Sequence, residues 1–243
     1  MKEKRILVLG YGMLGQELVK QTGWDYRCIE DHGFDITKPQ EWNGHLLKVE
    51  FGAVQYCPHD IIINCVANTN TYSKSKDTHW DVNYKGTDNI VEFCNRWRVK
   101  LVQISTDYIY GGGMPNKKEV DVPVHCDNWY SYTKLLSDAH VQLKSDDYLM
   151  VRIGHKKRPF THEVAYDNML GNFDYTDVIA GQIIKMVQMD LEGIYNVGTQ
   201  AKSMYDLAKQ TKEDVVPGRV EGTNMPSCVL MNLDKFKALK LSE

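Results

Sequence analysis

The sequence predicts an α/β fold in which helices cover both faces of a parallel sheet. Short apolar segments alternate along the 243 residues with segments of helical periodicity. Parallel strands that are buried on both faces carry continuous apolar runs, such as ILVL at 6–9 and III at 61–63. A composition of 42% hydrophobic and 25% charged residues fits a globular chain of this class.

The first half of the chain predicts three strands and three helices. The strands lie at 5–10, 26–29 and 60–64, and each is a short apolar run. A helix at 13–22 follows the first strand directly after a glycine-rich turn. A second helix is predicted at 39–51, because proline is tolerated in a first helical turn. A third, at 79–98, spaces its apolar residues so that they can cover a sheet.

The second half continues the alternation. Strands are predicted at 101–105, 148–153 and 193–197, and helices at 129–143 and 176–189. Ser203 predicts the cap of a last helix that runs to about residue 211. The stretches 111–128 and 156–172 are irregular, and long loops of this kind are often functional.

Charge and composition exclude several kinds of protein. With 29 basic and 32 acidic residues, the formal net charge of −3 argues against broad nucleic-acid binding. No apolar run is long enough to span a membrane. The basic N-terminus is followed by an apolar run only at 6–9, so we predict a cytoplasmic protein without a signal peptide.

No metal site is predicted. The six cysteines, at 28, 57, 65, 94, 126 and 228, show no CxxC spacing, and the eight histidines form no HExxH pattern. We therefore expect reduced, mostly buried thiols.

The segment GYGMLG at 10–15 is a GxGxxG motif between the first strand and the first helix, the context that such a motif requires. Gly10 would allow a tight turn, Gly12 would let the backbone approach a pyrophosphate, and Gly15 would permit close helix–strand packing. The phosphates would lie at the helix N-terminus. The motif predicts a Rossmann-type domain that binds a dinucleotide, NADH or NADPH.

An acidic residue near the end of the second strand would bind the adenosine ribose hydroxyls. Glu30 and Asp31 lie there, and a carboxylate would repel the 2′-phosphate of NADPH. NADH is therefore slightly favoured, although the neighbouring Arg27 weakens this inference.

A YxxxK motif places Tyr130 and Lys134 on one face of the predicted helix at 129–143. An ammonium beside a phenol lowers the pKa of the phenol, which makes it a usable acid near neutral pH. Tyr132 is a competing phenol, but no lysine lies four residues beyond it. Thr106 follows the carboxyl end of the fourth strand, where ligands bind in open α/β sheets, and would complete a Thr–Tyr–Lys set.

Several segments together make the sequence resemble the extended short-chain dehydrogenase/reductases, specifically the dTDP-4-dehydrorhamnose reductase family. The matching segments are GYGMLG, DIT at 35–37, DIIINCVANTNT from 60, WDVNYKGT around Asn83, QISTDYIYGG from 103, YSYTKLLSD from 130, VRIG around Arg152, GIYNVG from 193 and SCVLMNLDKF from 227. The resemblance covers nearly the whole chain.

The resemblance implies reduction of a 4-keto group on a nucleotide-linked 6-deoxyhexose, with hydride from NAD(P)H. Residues implied to contact the cofactor are Gly12, Met13 and Leu14 at the pyrophosphate, Asp35 and Ile36 at the adenine, and Cys65, Val66 and Ala67 beside the ribose and nicotinamide. Tyr130 would protonate the carbonyl oxygen, Thr106 would orient it, Lys134 would bind the nicotinamide ribose, and Asp107 would lie near the sugar.

The resemblance is weakest in the C-terminal part of the chain. The segment at 152–175 is shorter than in the family, TYSKSK at 71–76 replaces a family pattern, and the chain ends soon after Phe236. We expect a NAD(P)-binding domain at 1–151 and a reduced substrate-binding lobe at 152–243, interleaved with the last elements of the sheet. A homodimer is a candidate assembly.

Two alternatives stay open. One is a nucleotide-sugar epimerase or dehydratase of the same fold, although a dehydratase would have Asp-Glu after the threonine, where this chain has Asp107 and Tyr108. The other is a non-catalytic NAD(P)-binding protein, similar to the regulatory subunit of methionine adenosyltransferase. The short lobe favours this second alternative, and the intact Thr106, Tyr130 and Lys134 argue against it.

Overall fold

The structure, a computed structural model, describes residues 4–50, 54–112, 115–121 and 128–241. Its central sheet has six strands: β1 (Ile6–Leu9), β2 (Asp25–Arg27), β3 (Ile61–Asn64), β4 (Lys100–Thr106), β5 (Tyr148–Ile153) and β6 (Gly193–Asn196). Their order across the sheet is β2-β1-β3-β4-β5-β6, and every neighbouring pair is parallel. The predicted parallel α/β sheet is confirmed.

Helices cover both faces of this sheet. The longer ones are α1 (Met13–Thr22), α2 (Gly86–Trp97), α3 (Trp129–Lys144) and α4 (Thr176–Gln188), and a shorter α5 (Met204–Lys209) lies near the C-terminus. Apolar residues of α1 and α4 share one core cluster with the sheet, whereas those of α2 and α3 share another. No helix in the described ranges is long and apolar enough to cross a bilayer.

The direction of winding reverses beside β1. This strand pairs with β2 on one side and with β3 on the other, and the later strands extend only from the β3 side. In such sheets a crevice opens beyond the carboxyl ends of the two strands that flank the reversal. Here it opens between the glycine loop after β1 and the loop that begins at Cys65.

The predicted helix at 39–51 is wrong. A 3₁₀ turn (Pro39–Glu41) and a short helix (Asn43–Leu46) are followed by a strand (Lys48–Glu50) that pairs antiparallel with Val54–Tyr56. Gly44 weakens a continuous helix, and Leu47 is extended, with a ψ of 151°. Residue 51 lies outside the described residues.

Smaller differences have local causes. The second strand ends at Arg27, because Cys28 caps a short helix (Ile29–His32) by accepting a hydrogen bond from the Asp31 amide. The helix predicted at 79–98 is present, but it begins as Lys76–His79 and passes through a π-helical segment (Trp80–Lys85) before α2. The Ser203 cap is confirmed as a capping box with Asp206.

The residues after β5 build a further core around short strand pairs. His155–Lys156 pairs with Asp174–Tyr175, Val164–Tyr166 with Val216–Gly218, and Leu170–Gly171 with both Lys202–Ser203 and Cys228–Val229; a helix (Asp234–Lys237) follows. Two of these strands fall in the stretch 156–172, which was expected to be irregular. Within the chain, α4 and β6 interrupt this C-terminal lobe and belong to the central layers.

The cysteines of the described ranges are free. Cys28 and Cys94 are buried, whereas Cys57, Cys65 and Cys228 are partly exposed. Cys126 lies outside the described residues, as does part of the loop predicted at 111–128.

Candidate functional site

Two adjoining cavities open at the carboxyl ends of the strands. The glycine-loop cavity, of about 550 Å³, lies beside β1 and the Ile29–His32 helix. The tyrosine cavity, of about 330 Å³, lies between the start of α3 and the C-terminal lobe. Gly12, Cys65 and Ala67 line both, so the cavities meet at the glycine loop.

All of the predicted site residues line these cavities. The glycine-loop cavity is lined by Gly10, Gly12, Glu30, Asp31, Asp35, Ile36, Cys65, Val66 and Ala67. The tyrosine cavity is lined by Gly12, Met13, Leu14, Gly15, Cys65, Ala67, Thr106, Asp107, Tyr130 and Lys134. Residues more than 100 positions apart in sequence are therefore brought together at one edge of the sheet.

The three motif glycines have different surroundings. A Cβ on Gly10, whose φ is +87°, would lie 3.0 Å from the Val66 amide nitrogen, and one on Gly15 would lie 2.0 Å from the Gly10 carbonyl oxygen. A Cβ on Gly12 would meet nothing within 4 Å, because it would enter the open cavity. Gly10 and Gly15 thus serve packing, whereas Gly12 leaves room for a ligand.

The start of α1 fits an anionic group. Gly12 caps this ten-residue helix without a side-chain hydrogen bond, and the first turn carries no acidic residue. The first amide groups of a helix lack intrahelical acceptors, and the helix dipole favours negative charge there. These residues fit the pyrophosphate of a dinucleotide.

Carboxylates line the far end of the glycine-loop cavity. Asp31 accepts a hydrogen bond of 2.7 Å from the Tyr26 hydroxyl, and Asp35 accepts one of 2.9 Å from the Thr37 amide. Arg27 points elsewhere, since its guanidinium donates to backbone oxygens and lines a separate cavity. No lysine, arginine or histidine is among the described residues that line this cavity.

Two buried asparagines hold the loop after β3. Asn64 accepts a hydrogen bond of 3.1 Å from the Val66 amide, which shapes the wall of the cavity. Asn83 accepts one of 2.7 Å from the Asn68 amide and donates one of 3.1 Å to Thr133 in α3. Asn83 entered the sequence analysis only as part of a matching segment, and the role of Asn64 was missed.

The cap of α3 orients the YxxxK pair. Asn128 accepts a hydrogen bond of 2.9 Å from the Ser131 amide, which starts the helix just before Tyr130. Lys134, one turn later and 2% exposed, donates a hydrogen bond of 2.7 Å to the Ile104 carbonyl oxygen. The Tyr130 hydroxyl instead interacts with that of Thr106.

In this arrangement Lys134 does not lower the pKa of Tyr130. Burial raises the pKa of Tyr130 to about 12, and the hydrogen bond with Thr106 only partly offsets this effect. Burial also lowers the pKa of Lys134. The lysine ammonium is held by the Ile104 carbonyl, so it does not stabilise the phenolate in this arrangement.

The lobe side of the tyrosine cavity contains further polar groups. Asp107 is 1% exposed, and its Oδ1 accepts a hydrogen bond of 3.3 Å from Thr106. Burial raises the pKa of Asp107 to about 7, although Thr106 and Lys156 oppose the rise. Asp107 Oδ2 and the Ser105 hydroxyl are buried without a hydrogen-bond partner among the described residues.

Sequence reasoning did not assign Ser105, His155 or Lys156 to the site, and all three line this cavity. Burial lowers the pKa of Lys156, and it lowers that of His155 to about 4, so the imidazole is neutral. Ser105 lies near the end of β4, and the other two residues follow the end of β5. The rule that predicted Thr106, that ligands bind beyond strand ends, would also have identified these residues.

Comparisons with known proteins agree with this arrangement. Residues 4–157 match the family model described as the RmlD substrate binding domain. The chain is 25% identical over 162 residues to a dTDP-4-dehydrorhamnose reductase of Mycobacterium tuberculosis, a match covering 62% of this chain and 50% of the relative. It is 27% identical over 242 residues to a dTDP-4-keto-6-deoxy-D-glucose reductase of Streptomyces niveus, covering 89% and 81%.

A solved structure shows the same fold. The crystal structure of a Bacillus anthracis dTDP-4-dehydrorhamnose reductase in complex with NADP has a TM-score of 0.78 and 21% identity, covering 98% of this chain and 92% of that one. The match to the mycobacterial reductase spans only half of that relative's length.

Proposed function

The chain belongs to the RmlD substrate binding domain family, and from this premise we propose that it is an NAD(P)H-dependent reductase. Its substrate would be a 4-keto-6-deoxyhexose linked to a nucleotide. The observation that carries the proposal is the convergence of Thr106, Tyr130 and Lys134 on the tyrosine cavity, next to a glycine loop that fits a dinucleotide. The two relatives described above are named as reductases of dTDP-linked keto sugars, which supports the same substrate class.

The bound cofactor would supply the hydride, and the protein residues would bind, orient and protonate the substrate. Gly12 and the first turn of α1 would hold the pyrophosphate. Tyr130 would donate its phenolic proton to the carbonyl oxygen as negative charge develops there. Its raised pKa keeps the phenol protonated at neutral pH, as an acid must be. Thr106 would hydrogen-bond the same oxygen and orient it.

Lys134 would have two roles. Because its ammonium already lies 2.7 Å from the Ile104 carbonyl, it is held close to the base of the tyrosine cavity. With the nicotinamide ribose bound, the ammonium would donate to its hydroxyls and would favour the phenolate left after proton transfer. Asp107 would accept a hydrogen bond from a sugar hydroxyl through its unpartnered Oδ2.

The two cavities also indicate which part of the chain would bind which ligand. Residues 1–151 would bind the cofactor, and residues 152–243 would form the reduced substrate-binding lobe, interleaved with α4 and β6 of the central layers. NADH would be used at least as well as NADPH, because Glu30 and Asp31 line the cofactor end and no lysine, arginine or histidine is among the described residues that line this cavity. Asp35 lines it too, but its carboxylate lies 3.7 Å from the Lys38 ammonium. A homodimer remains the candidate assembly, and a cytoplasmic location suits a biosynthetic reductase.

The test is an assay of cofactor oxidation with a panel of nucleotide-linked 4-keto sugars, each supplied with NADH and with NADPH. We expect oxidation of NADH or NADPH with at least one nucleotide-linked 6-deoxy-4-keto sugar. The corresponding 4-hydroxy sugar should cause no oxidation of either cofactor. Interconversion of 4-hydroxy epimers would instead indicate an epimerase. Cofactor binding without turnover of any keto sugar would favour the non-catalytic alternative.

A further inference from the structure

Three side chains at the edge of the glycine-loop cavity carry the donor types of a transition-metal site. One ligand atom each from Cys28, Asp31 and His32 lies within 4.8 Å of the other two. The Cys28 Sγ and His32 Nδ1 are 3.9 Å apart. Donors at tetrahedral Zn²⁺, bound at about 2.0 to 2.3 Å, are separated by comparable distances.

Local structure explains why these residues meet. Cys28 caps the short helix, and the next two positions on the same face are Asp31 and His32, three and four residues later. Sequence reasoning predicted no metal site because it considered CxxC and HExxH spacings. A C-x-x-D-H pattern converges only if a helix begins at its cysteine.

Tyr26 supports this cluster from strand β2. Its hydroxyl donates a hydrogen bond of 2.7 Å to Asp31 Oδ2. Its ring also meets the His32 imidazole edge-on, with centroids 4.9 Å apart, and stacks on Tyr11 at 4.0 Å. Ligating carboxylates at metal sites are typically held by outer hydrogen bonds of this kind, and the ring contact restricts the orientation of the imidazole.

We propose that Cys28, Asp31 and His32 bind a divalent transition metal of the Zn²⁺ class, and that the bound metal excludes the dinucleotide. A thiolate, an imidazole and a carboxylate suit Zn²⁺, and solvent would complete the tetrahedron. The Cys28 thiol exchanges its S–H bond for an S–Zn bond, and the proton passes to the buffer. Cys28 and Asp31 line the cavity proposed for the adenosine ribose, so the two ligands compete. This second part rests on the proposed function.

The first experiment tests the metal alone. Chelator-treated protein is titrated with Co²⁺, a spectroscopic substitute for Zn²⁺, and then with Zn²⁺ by calorimetry. We expect a thiolate-to-cobalt charge-transfer band that is lost in Cys28→Ser and in His32→Gln. Serine is a good helix cap, so the first variant should fold, and its melting temperature checks this. Cys228→Ser, which removes a thiol in the C-terminal lobe, is the matched control and should retain the band.

The second experiment tests the competition by NADH fluorescence. With Zn²⁺ at about ten times its own Kd, mutual exclusion should raise the apparent Kd for NADH about tenfold. In Cys28→Ser, the apparent Kd for NADH should be about the same with and without Zn²⁺, so the ratio of the two values should be about one.

Each remaining outcome has a distinct meaning. A cobalt band that persists in both ligand variants, or no band in the wild type, would overturn the metal site. A band with the expected ligand dependence but no effect of Zn²⁺ on NADH would overturn the exclusion. If NADH fails to bind even in chelator, the proposed function is wrong, and the cobalt spectrum still decides the metal site.

Discussion

The two cavities differ in how far the protein satisfies its own polar groups. At the glycine-loop cavity, Asp31 and Asp35 already accept hydrogen bonds from neighbouring residues. At the tyrosine cavity, Ser105 and Asp107 each bury a polar oxygen that has no partner among the described residues. An unpaired buried polar group costs roughly 1–3 kcal/mol. The tyrosine cavity therefore carries a cost that a bound substrate can relieve.

This difference indicates how each cavity would work. The glycine-loop cavity contains open space at Gly12, and two of its carboxylates are already hydrogen-bonded, so recognition there should depend mainly on space and on the α1 N-terminus. The tyrosine cavity brings buried ionisable groups together from β4, α3 and β5, so its chemistry should depend on charge and proton position. Substitutions that change only the space in one cavity, or only the charge in the other, test this distinction.

The largest effect is expected from removing the proposed proton donor. Tyr130→Phe deletes one hydroxyl, and general acid catalysis is typically worth about 10² to 10⁴ in rate. We expect kcat to fall by that factor while NADH affinity stays nearly unchanged, measured by steady-state kinetics and fluorescence titration. Tyr132→Phe is the control, since that ring is 40% exposed and packs against Trp129. An active Tyr130→Phe with an inactive Tyr132→Phe would reverse the assignment.

At the glycine loop, one substitution should weaken cofactor binding without lowering the stability of the fold. Gly12→Val would place a branched side chain in the cavity, and with overpacking costing about 1–3 kcal/mol, NADH binding should weaken by about 10- to 100-fold. Its φ of −73° suits valine, so the melting temperature should hold.

Two further glycines serve as comparisons. Gly15→Ala should lower the melting temperature, because its Cβ would lie 2.0 Å from the Gly10 carbonyl oxygen. The side chain of Gly44→Val would also enter open space, but it lies away from the glycine-loop cavity, so this variant should bind NADH normally. Normal NADH titration of Gly12→Val would contradict the dinucleotide assignment.

The contrast between the cavities also explains what the sequence could predict. Gly10, Gly12 and Gly15 follow an apolar strand, so turn chemistry and periodicity identify both the fold and the cofactor side. The helix predicted at 39–51 failed because Gly44 weakens the helical pattern, the chain is extended at Leu47, and Lys48–Glu50 pairs with the neighbouring strand Val54–Tyr56. Asp107 Oδ2 lacks a hydrogen-bond partner because of how β4 and the C-terminal lobe pack together. The spacing of residues in the sequence does not reveal this packing.

A smaller effect is expected in the stability of Asp107→Asn. A pKa near 7, against an ordinary value of 3.8, means that the folded protein binds this proton more tightly than the unfolded chain. Stability therefore falls as pH rises from about 4 to about 7, by at most about 4 kcal/mol. Asparagine removes that charge but leaves a polar group to satisfy, so above pH 7 the variant should gain about 1–2 kcal/mol.

The check is a pair of urea unfolding curves at pH 5 and pH 8. The difference between Asp107→Asn and the wild type should be larger at pH 8 than at pH 5. His155, with a pKa of about 4, titrates in both proteins and cancels in the difference. Affinity for a keto sugar should fall in the same variant, since an amide offers a weaker acceptor to a sugar hydroxyl. A variant less stable than the wild type at pH 8 would mean that the carboxylate is well paired.

The smallest effect concerns the acidic edge of the glycine-loop cavity. Asp31 is exposed, and interactions of exposed charges are typically worth about 0.2–1 kcal/mol. Asp31→Asn should therefore improve NADPH affinity by up to about fivefold relative to NADH. Titrations of both cofactors in chelator keep metal binding at Cys28 and His32 out of the measurement. Glu41→Gln, which removes a carboxylate that lines neither cavity, should leave the ratio unchanged. A wild type that prefers NADPH strongly, with no change in Asp31→Asn or Glu30→Gln, would show that neither carboxylate reaches the 2′ position; recognition at this cavity would then depend on shape alone.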